Sequence, residues 1–275
     1  MAIPYSGRTG YLQNFTSIEE WNVDYKAPAV PVTTSGTKCS ELQMPGPKDW
    51  NGGFKTPSHL AVCIPTATAS FGGSFDGSVG LNGPIIYDSL DLDWDIEGGQ
   101  PIEQTVKFSA NGPLTFGACV ATEVAVPNPN TSLGTRGVLA LATGGGDIQI
   151  QGVKSMSLKF SAKNSEYKDS DTASWTYRLP GNLSGNVSWQ INLSDMSQLM
   201  TLCQPNTFAI AKLYVDGSLC WLIKYVKFTG ISGIKSDRKT GAVVGATLEA
   251  AFSSHWNNNV GQIMGPSGTQ FWPFL

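Results

Sequence analysis

The feature that most constrains this chain is an internal repeat. Trp21-Asn22-Val23-Asp24-Tyr25-Lys26-Ala27 answers to Met156-Ser157-Leu158-Lys159-Phe160-Ser161-Ala162. At the same spacing, Glu41-Leu42-Gln43-Met44-Pro45-Gly46 answers to Thr176-Tyr177-Arg178-Leu179-Pro180-Gly181. Further on, Phe75-Asp76-Gly77-Ser78 answers to Val215-Asp216-Gly217-Ser218, at a spacing longer by one small loop insertion. A repeat fixes architecture before any local reading, because each copy must bury its apolar face alone or against its neighbour. Two fused copies of one unit point to a ring or tube in which one chain fills two equivalent places, not to a lone catalyst.

The chain's 275 residues leave room for two domains of ordinary size. The boundaries read as a first β domain over 1–119, a connection over 120–149, a second β domain over 150–256 and an extension over 257–275. Pro127, Pro129 and Gly144-Gly145-Gly146 break the pattern in the connection, which has room for one strand. Charged residues are 14% of the chain, against about 25% in ordinary domains, and there are 31 glycines. That composition suits many short strands and tight turns, with polarity supplied by Ser, Thr and Asn. A net charge of −3 gives no basic footprint for wrapping nucleic acid. It leaves neutral surface for neighbouring subunits.

The start, Met1-Ala2-Ile3-Pro4-Tyr5-Ser6-Gly7-Arg8, lacks the basic and apolar regions of a signal peptide, and no stretch approaches the ~20 apolar residues of a membrane span. Five cysteines, odd in number and widely spaced, form neither a CxxC pair nor a disulfide ladder. They read as small buried hydrophobes in a reducing compartment, which puts synthesis in a cytoplasm and leaves sequons such as Asn182-Leu183-Ser184 without meaning.

Leu90, Leu92, Trp94 and Ile96 alternate with Asp91, Asp93 and Asp95. After a turn at 97–101, Ile102, Gln104, Val106 and Phe108 alternate with Glu103, Thr105 and Lys107. This is an antiparallel hairpin with one apolar and one wet face. In the second half, Val187, Trp189, Ile191 and Leu193 alternate with Ser188, Gln190 and Asn192. A short helix is expected over 195–203, capped by Ser194 or Asp195 and stopped by Pro205. Met196, Leu199, Met200 and Cys203 would form its packed stripe. Strands over 208–215 and 219–228 are joined at Asp216-Gly217, and a last hairpin pairs 230–235 with 242–253. The tail ends in Phe271-Trp272-Pro273-Phe274-Leu275, which either folds back or docks on a neighbour.

His59 and His255 have no partner spacing, and no GxSxG, HExxH, P-loop or GxGxxG occurs. No catalytic residue, metal or cofactor is expected. Asp91, Asp93 and Asp95 extend over ~13 Å of strand, too far to ligate one ion unaided. They form a solvated face, the acidic wall of a channel or, with help from other strands, a cation site. Trp94 and Trp189 sit on the apolar phase of their strands and read as core, not as carbohydrate platforms.

With these elements in place, the chain resembles the major tail protein (tail tube protein) of long-tailed bacteriophages, in the form whose tube domain is duplicated. The resemblance rests on Leu179-Pro180-Gly181-Asn182 and Gly185-Asn186-Val187-Ser188-Trp189 before a strand, and on Lys227-Phe228-Thr229-Gly230-Ile231-Ser232-Gly233-Ile234. The closing strand Ala246-Thr247-Leu248-Glu249-Ala250-Ala251-Phe252-Ser253 adds to it, as do Asp76-Gly77 and Val106-Lys107-Phe108-Ser109-Ala110-Asn111-Gly112 in the first half. It covers most of residues 15–255. The first half departs from it, with no clear helix between Thr56 and Phe71.

The resemblance implies a mainly β fold: two tandem β-sandwich or half-barrel tube domains with a short flanking helix, assembling into rings. A duplicated chain would form trimeric, pseudo-hexameric rings that stack into a hollow tail tube, conducting DNA into the host without catalysis or cofactor. Its partners would be itself, other phage tail proteins and the passing DNA, with no membrane, and its place the tail of a virion assembled in the host cytoplasm. A DNA conduit needs a neutral to acidic wall, because duplex carries one negative charge per ~1.7 Å. Asp91, Asp93, Asp95, Glu103 and Glu249 are the candidates for that wall. Lys107 and Lys159 run against it unless cross-strand carboxylates pair with them. Phe271, Trp272 and Phe274 are the candidates for subunit docking. Two other classes remain open: another virion assembly protein (baseplate hub, tail terminator or decoration protein) and a carbohydrate-binding β-sandwich module.

Overall fold

The computed structural model describes residues 11–12, 18–32, 42–58, 63–119, 138–143, 146–168, 174–192, 200, 208–216, 219–235, 244–252, 263–265 and 270–272. These are mainly β. The first half contributes β1 (Tyr11–Leu12), β2 (Glu20–Lys26), β3 (Ala29–Val32), β4 (Leu42–Pro45), β5 (Asp49–Pro57), β6 (Thr68–Ser74), β7 (Val79–Asp95), β8 (Glu103–Ala110) and β9 (Thr115–Ala118). The second contributes β10 (Val138–Thr143), β11 (Gly146–Ile150), β12 (Val153–Tyr167), β13 (Tyr177–Asn192), β14 (Ala209–Asp216), β15 (Leu219–Lys235), β16 (Gly245–Phe252), β17 (Ile263–Met264) and β18 (Gln270–Trp272). All but β3 and β4 join one large antiparallel sheet, whose main path runs β11-β10-β14-β15-β16-β13-β12-β7-β8-β5-β2.

The pairing scheme occurs twice along that path. In the first half the order is β2-β5-β8-β7-β6, with β1 on β6; in the second it is β12-β13-β16-β15-β14, with β10 on β14. The registers correspond as well. Trp21 pairs with Phe54 where Met156 pairs with Trp189, and Phe54 with Val106 where Trp189 pairs with Leu248. Gly73 pairs with Leu81 where Leu213 pairs with Trp221. Even the bulges agree: the β7·β8 ladder slips between Tyr87 and Ser89, the β15·β16 ladder between Phe228 and Gly230. The β3·β4 pair is the counterpart of the far ends of β12 and β13, since Val30↔Met44 stands where Ser165↔Leu179 does. In the first half Pro28 and Pro47 interrupt the strands there, because proline cannot donate to a ladder.

Alternation explains the individual strands. Leu90, Leu92 and Trp94 of β7 are buried, as are Met156, Leu158 and Phe160 of β12 and Val187 and Trp189 of β13. Each such side chain contributes roughly 1.5–3 kcal/mol by leaving water. The turn after β7 closes because Gly99 takes φ +67° and the Gly98 N–H donates to Asp95 Oδ1 at 2.8 Å. At β6–β7 the Asp76 carboxylate accepts the N–H groups of Ser78 and Val79 at 2.9 Å, and Gly77 takes φ +90°.

β7 and β15 change partners midway along their length, which folds each half over itself. Phe71 of β6 lies 5.0 Å from Phe108 of β8 and 5.9 Å from Trp50 of β5, centroid to centroid. Trp221 of β15 lies 6.0 Å from Phe160 of β12. One apolar cluster runs through both halves.

Several expectations meet the structure differently. The expected connection over 120–149 contains two strands rather than one, because β10 pairs with β14 and β11 with β10. The expected helix over 195–203 lies outside the described residues except for Met200, which is helical but half-exposed and so not part of a packed stripe. Gly217, His59, His255, Cys39, Cys203 and the segment 120–137 also lie outside the described residues. Cys63 and Cys119 are buried thiols outside any disulfide. Among the described residues no helix is long and apolar enough to cross a membrane.

Candidate functional site

The face of the sheet opposite the apolar core is built by cross-strand rows, since directly paired residues point to the same side. One row reads Glu20, Lys55, Thr105, Asp91, Lys159 and Asn186 across β2, β5, β8, β7, β12 and β13. The next reads Glu103, Asp93, Ser157, Ser188, Glu249 and Gly230 across β8, β7, β12, β13, β16 and β15. The face therefore brings Asp91, Asp93, Glu103 and Glu249 together, with Asp95 at its edge. Lys55, Lys107 and Lys159 share it. The wall is mixed in sign over the first half and nearly neutral over the second.

Lysines are interleaved where carboxylates crowd. Lys55 Nζ lies 3.2 Å from Glu103 and 3.6 Å from Glu20. The hydrogen bond and charge of Glu103, then the charge of Glu20, hold the Lys55 ammonium above its ordinary pKa. Partial burial pushes the Asp91 carboxyl up, against the pull of Lys159 and Lys107. Asp93 is raised for the same reason, with the negative charges of Asp91 and Glu103 adding to burial and Lys159 and Lys55 opposing it. Asp95 is committed to its turn through the bond to Gly98. On the second half the face is a hydroxyl ladder, with Ser157 and Ser188 Oγ atoms 2.8 Å apart and Ser161 and Ser184 2.9 Å apart.

Asp93, Asp95, Glu103, Ser157, Ser188 and Gln190 rim a shallow depression of about 440 Å³ on this face. It is open to one side, and among the described residues no group of three His, Cys, Asp or Glu side chains could hold a metal ion. The arrangement suits a smooth polar surface better than a site gripping one ligand.

Phe271 and Trp272 lie in β18, whose backbone pairs with β17 of the same chain, and β17 pairs with β15. The tail strand thus folds back at least as far as Trp272. The side chains of both residues, and all of Phe274, lie outside the described set.

A second polar site, at the junction between the halves, escaped the sequence reading. Arg178 is almost fully buried and donates to Asp49 through both amine nitrogens (3.0 and 2.8 Å), to Glu166 (2.9 Å) and to the Ala110 carbonyl (2.8 Å). Thr176 donates N–H and hydroxyl to the Lys48 carbonyl, and Trp175 stacks under the Lys48 ammonium at 5.3 Å. These contacts latch the far ends of β12 and β13 onto the first half. The available signal was one arginine in a segment otherwise poor in charge.

No protein-family model matches this chain, and no curated protein matches it.

Proposed function

We propose that this chain is a structural assembly protein of the bacteriophage tail-tube kind, with two copies of one β domain fused head to tail and polymerising with itself into rings and stacked tubes. The observation that carries the reading is the doubled pairing scheme, in which the halves are joined edge to edge by β7·β12 while β2 and the far part of β15 each have one edge with no described strand beside it. A head-to-tail junction within one chain has the geometry of a heterologous interface, which generates rings when it closes and filaments when it does not. The polar face supports a conduit: its charges largely offset one another, and among the described residues no cationic run on it would hold phosphate. In this reading the wall containing Asp91, Asp93, Glu103 and Glu249 faces the lumen, and DNA passes it unbound on the way from virion to host.

Negative-stain imaging of the purified protein over a rising concentration series tests this. Striated tubes or stacked rings are the expected result. Single particles at every concentration would contradict it.

A further inference from the structure

We infer that neighbouring copies of this chain join by an antiparallel ladder between β15 residues 230–235 of one copy and β2 residues 20–26 of the next. The inference rests on the self-assembly reading above and names its contact. It comes from transferring the junction seen inside the chain to the chain's two ends.

Inside the chain, β7 pairs with β12: Ser89↔Ser161, Leu90↔Phe160, Asp91↔Lys159 and Leu92↔Leu158. The strand β2 corresponds to β12 residue for residue, because Glu20 through Lys26 pair with Lys55 through Asp49 as Ser155 through Ser161 pair with Gln190 through Ser184. The far part of β15 corresponds to that of β7, because Ile231 pairs with Leu248 as Leu90 pairs with Val106, in the same place after the shared bulge. Carrying the junction over gives Gly230 opposite Lys26, Ile231 opposite Tyr25 and Ser232 opposite Asp24 of the next copy. Val23 falls opposite Gly233-Ile234, where β15 carries an extra bulge and Gly233 takes φ +68°.

Burial supports the transfer independently. At the internal junction Phe160 is 2% exposed and Leu92 is 0% exposed. Their counterparts at the open ends are Tyr25, 50% exposed, and Ile234, 52% exposed. Val23 and Ile231 are only half-buried where Leu158 and Leu90 are fully buried. Apolar side chains on the core phase of both open edges thus lack the cover that the internal junction supplies. An uncovered strand edge of this kind is a template for another strand. A second copy is the one occupant that brings the matching edge.

The two junctions differ in charge. The position of Arg178 is held by Gln43 in the first half, that of Asp49 by Ser184 in the second, and that of Glu166 by Pro31. The internal junction is latched by an ion cluster, and the junction between copies is neutral there. Lys26 would lie beside Gly230, which has no side chain, and could extend over it toward the exposed Glu249 in the same row.

Paired cysteines in the full-length chain test the register. Antiparallel partners have Cα atoms ~4.5–5.5 Å apart, within disulfide range. Tyr25→Cys with Ile231→Cys should give disulfide-linked oligomers on mild oxidation, while an equal mixture of the two single variants should give linked pairs only. Asp24→Cys with Ile231→Cys, whose side chains point to opposite faces, should link at least tenfold less. On the unmodified protein, amide exchange in 20–26 and 230–235 should slow at least tenfold upon assembly, a reading that does not depend on any variant folding. Assembly of the wild-type chain without that slowing, or with efficient linkage only in the Asp24 pair, overturns the ladder and leaves self-assembly standing. A wild-type chain that does not assemble overturns both.

Discussion

Arg178 is a nearly buried cation with two carboxylate partners. Its guanidinium is buried against Asp49 and Glu166, and their hydrogen bonds and charges outweigh the cost of desolvating it. Removing one member of a buried pair strands the other, so Arg178→Met should lower stability by about 2–4 kcal/mol. Adding Asp49→Asn should recover part of that loss, as measured by denaturant unfolding. Asp93 gives the opposite sign. Its pKa is raised above the ordinary carboxylate value, so the folded chain holds that proton more readily than the unfolded chain. Ionised Asp93 therefore costs stability above its folded pKa, and the cost fades as pH falls through that value. Asp93→Asn should raise stability, and with it the melting temperature, slightly at pH 7, by under about 1 kcal/mol because the group is only partly buried and solvent screens it, with the gain vanishing below about pH 4. The phase of Trp94 and Trp189 was legible in the sequence, since strict alternation leaves a tryptophan only one side to point to. Arg178 was not, because its partners arrive from Asp49 and Ala110 by pairings that no local pattern encodes.

At the level of elements, equivalent contacts recur in both halves. A Cβ on Gly46 would lie 2.6 Å from the Pro28 carbonyl oxygen, and one on Gly181 would overlap the Lys163 carbonyl at the matching position. In both halves the strand crossing leaves no room for a side chain there. Gly46→Ala should cost about 2 kcal/mol or more by forcing the β3–β4 segment away from Pro28, visible as a drop in melting temperature. The β7–β8 hairpin was legible because its alternation is strict and its turn is glycine-rich. The β10–β11 pair was not, because a proline- and glycine-rich stretch masks two strands of which β10 is held by the distant β14 and β11 by β10. The tail was legible only as an apolar cluster. Its backbone returns to β17 as far as Trp272, and docking by Phe271, Trp272 and Phe274 is a proposal that substitution tests. Changing all three to Ser should reduce assembled material in a sedimentation assay while leaving far-UV circular dichroism unchanged.

Among the described residues one sheet contains the same pairing scheme twice, and β2 and the far part of β15 each have one edge without a described partner. Of the sequence landmarks, the Pro-Gly pairs at 45–46 and 180–181 follow matching ladder positions, Val30↔Met44 and Ser165↔Leu179, while Gly217 of the second Asp-Gly lies outside the described residues. What they could not convey is the junction, which depends on a partner change halfway along β7. The charge distribution on the polar face was legible in part: Asp91, Asp93 and Asp95 share a side as alternation requires, with Lys107 and Lys159 expected against them, but Lys55 of β5 enters the same face only through pairing. If that face lines a DNA conduit, Asp93→Lys with Glu249→Lys should leave assembly intact and slow DNA passage, with the defect relieved as salt rises. Asp95 is left unchanged in that test because its carboxylate holds a turn. The central claim, one chain filling two equivalent places, is tested most directly by class-averaged electron micrographs of the assembled ring combined with its native mass. The account predicts twice as many lobes around each ring as chains of 29.3 kDa, six lobes for three chains in the trimeric case. A ring with one lobe per chain would contradict it.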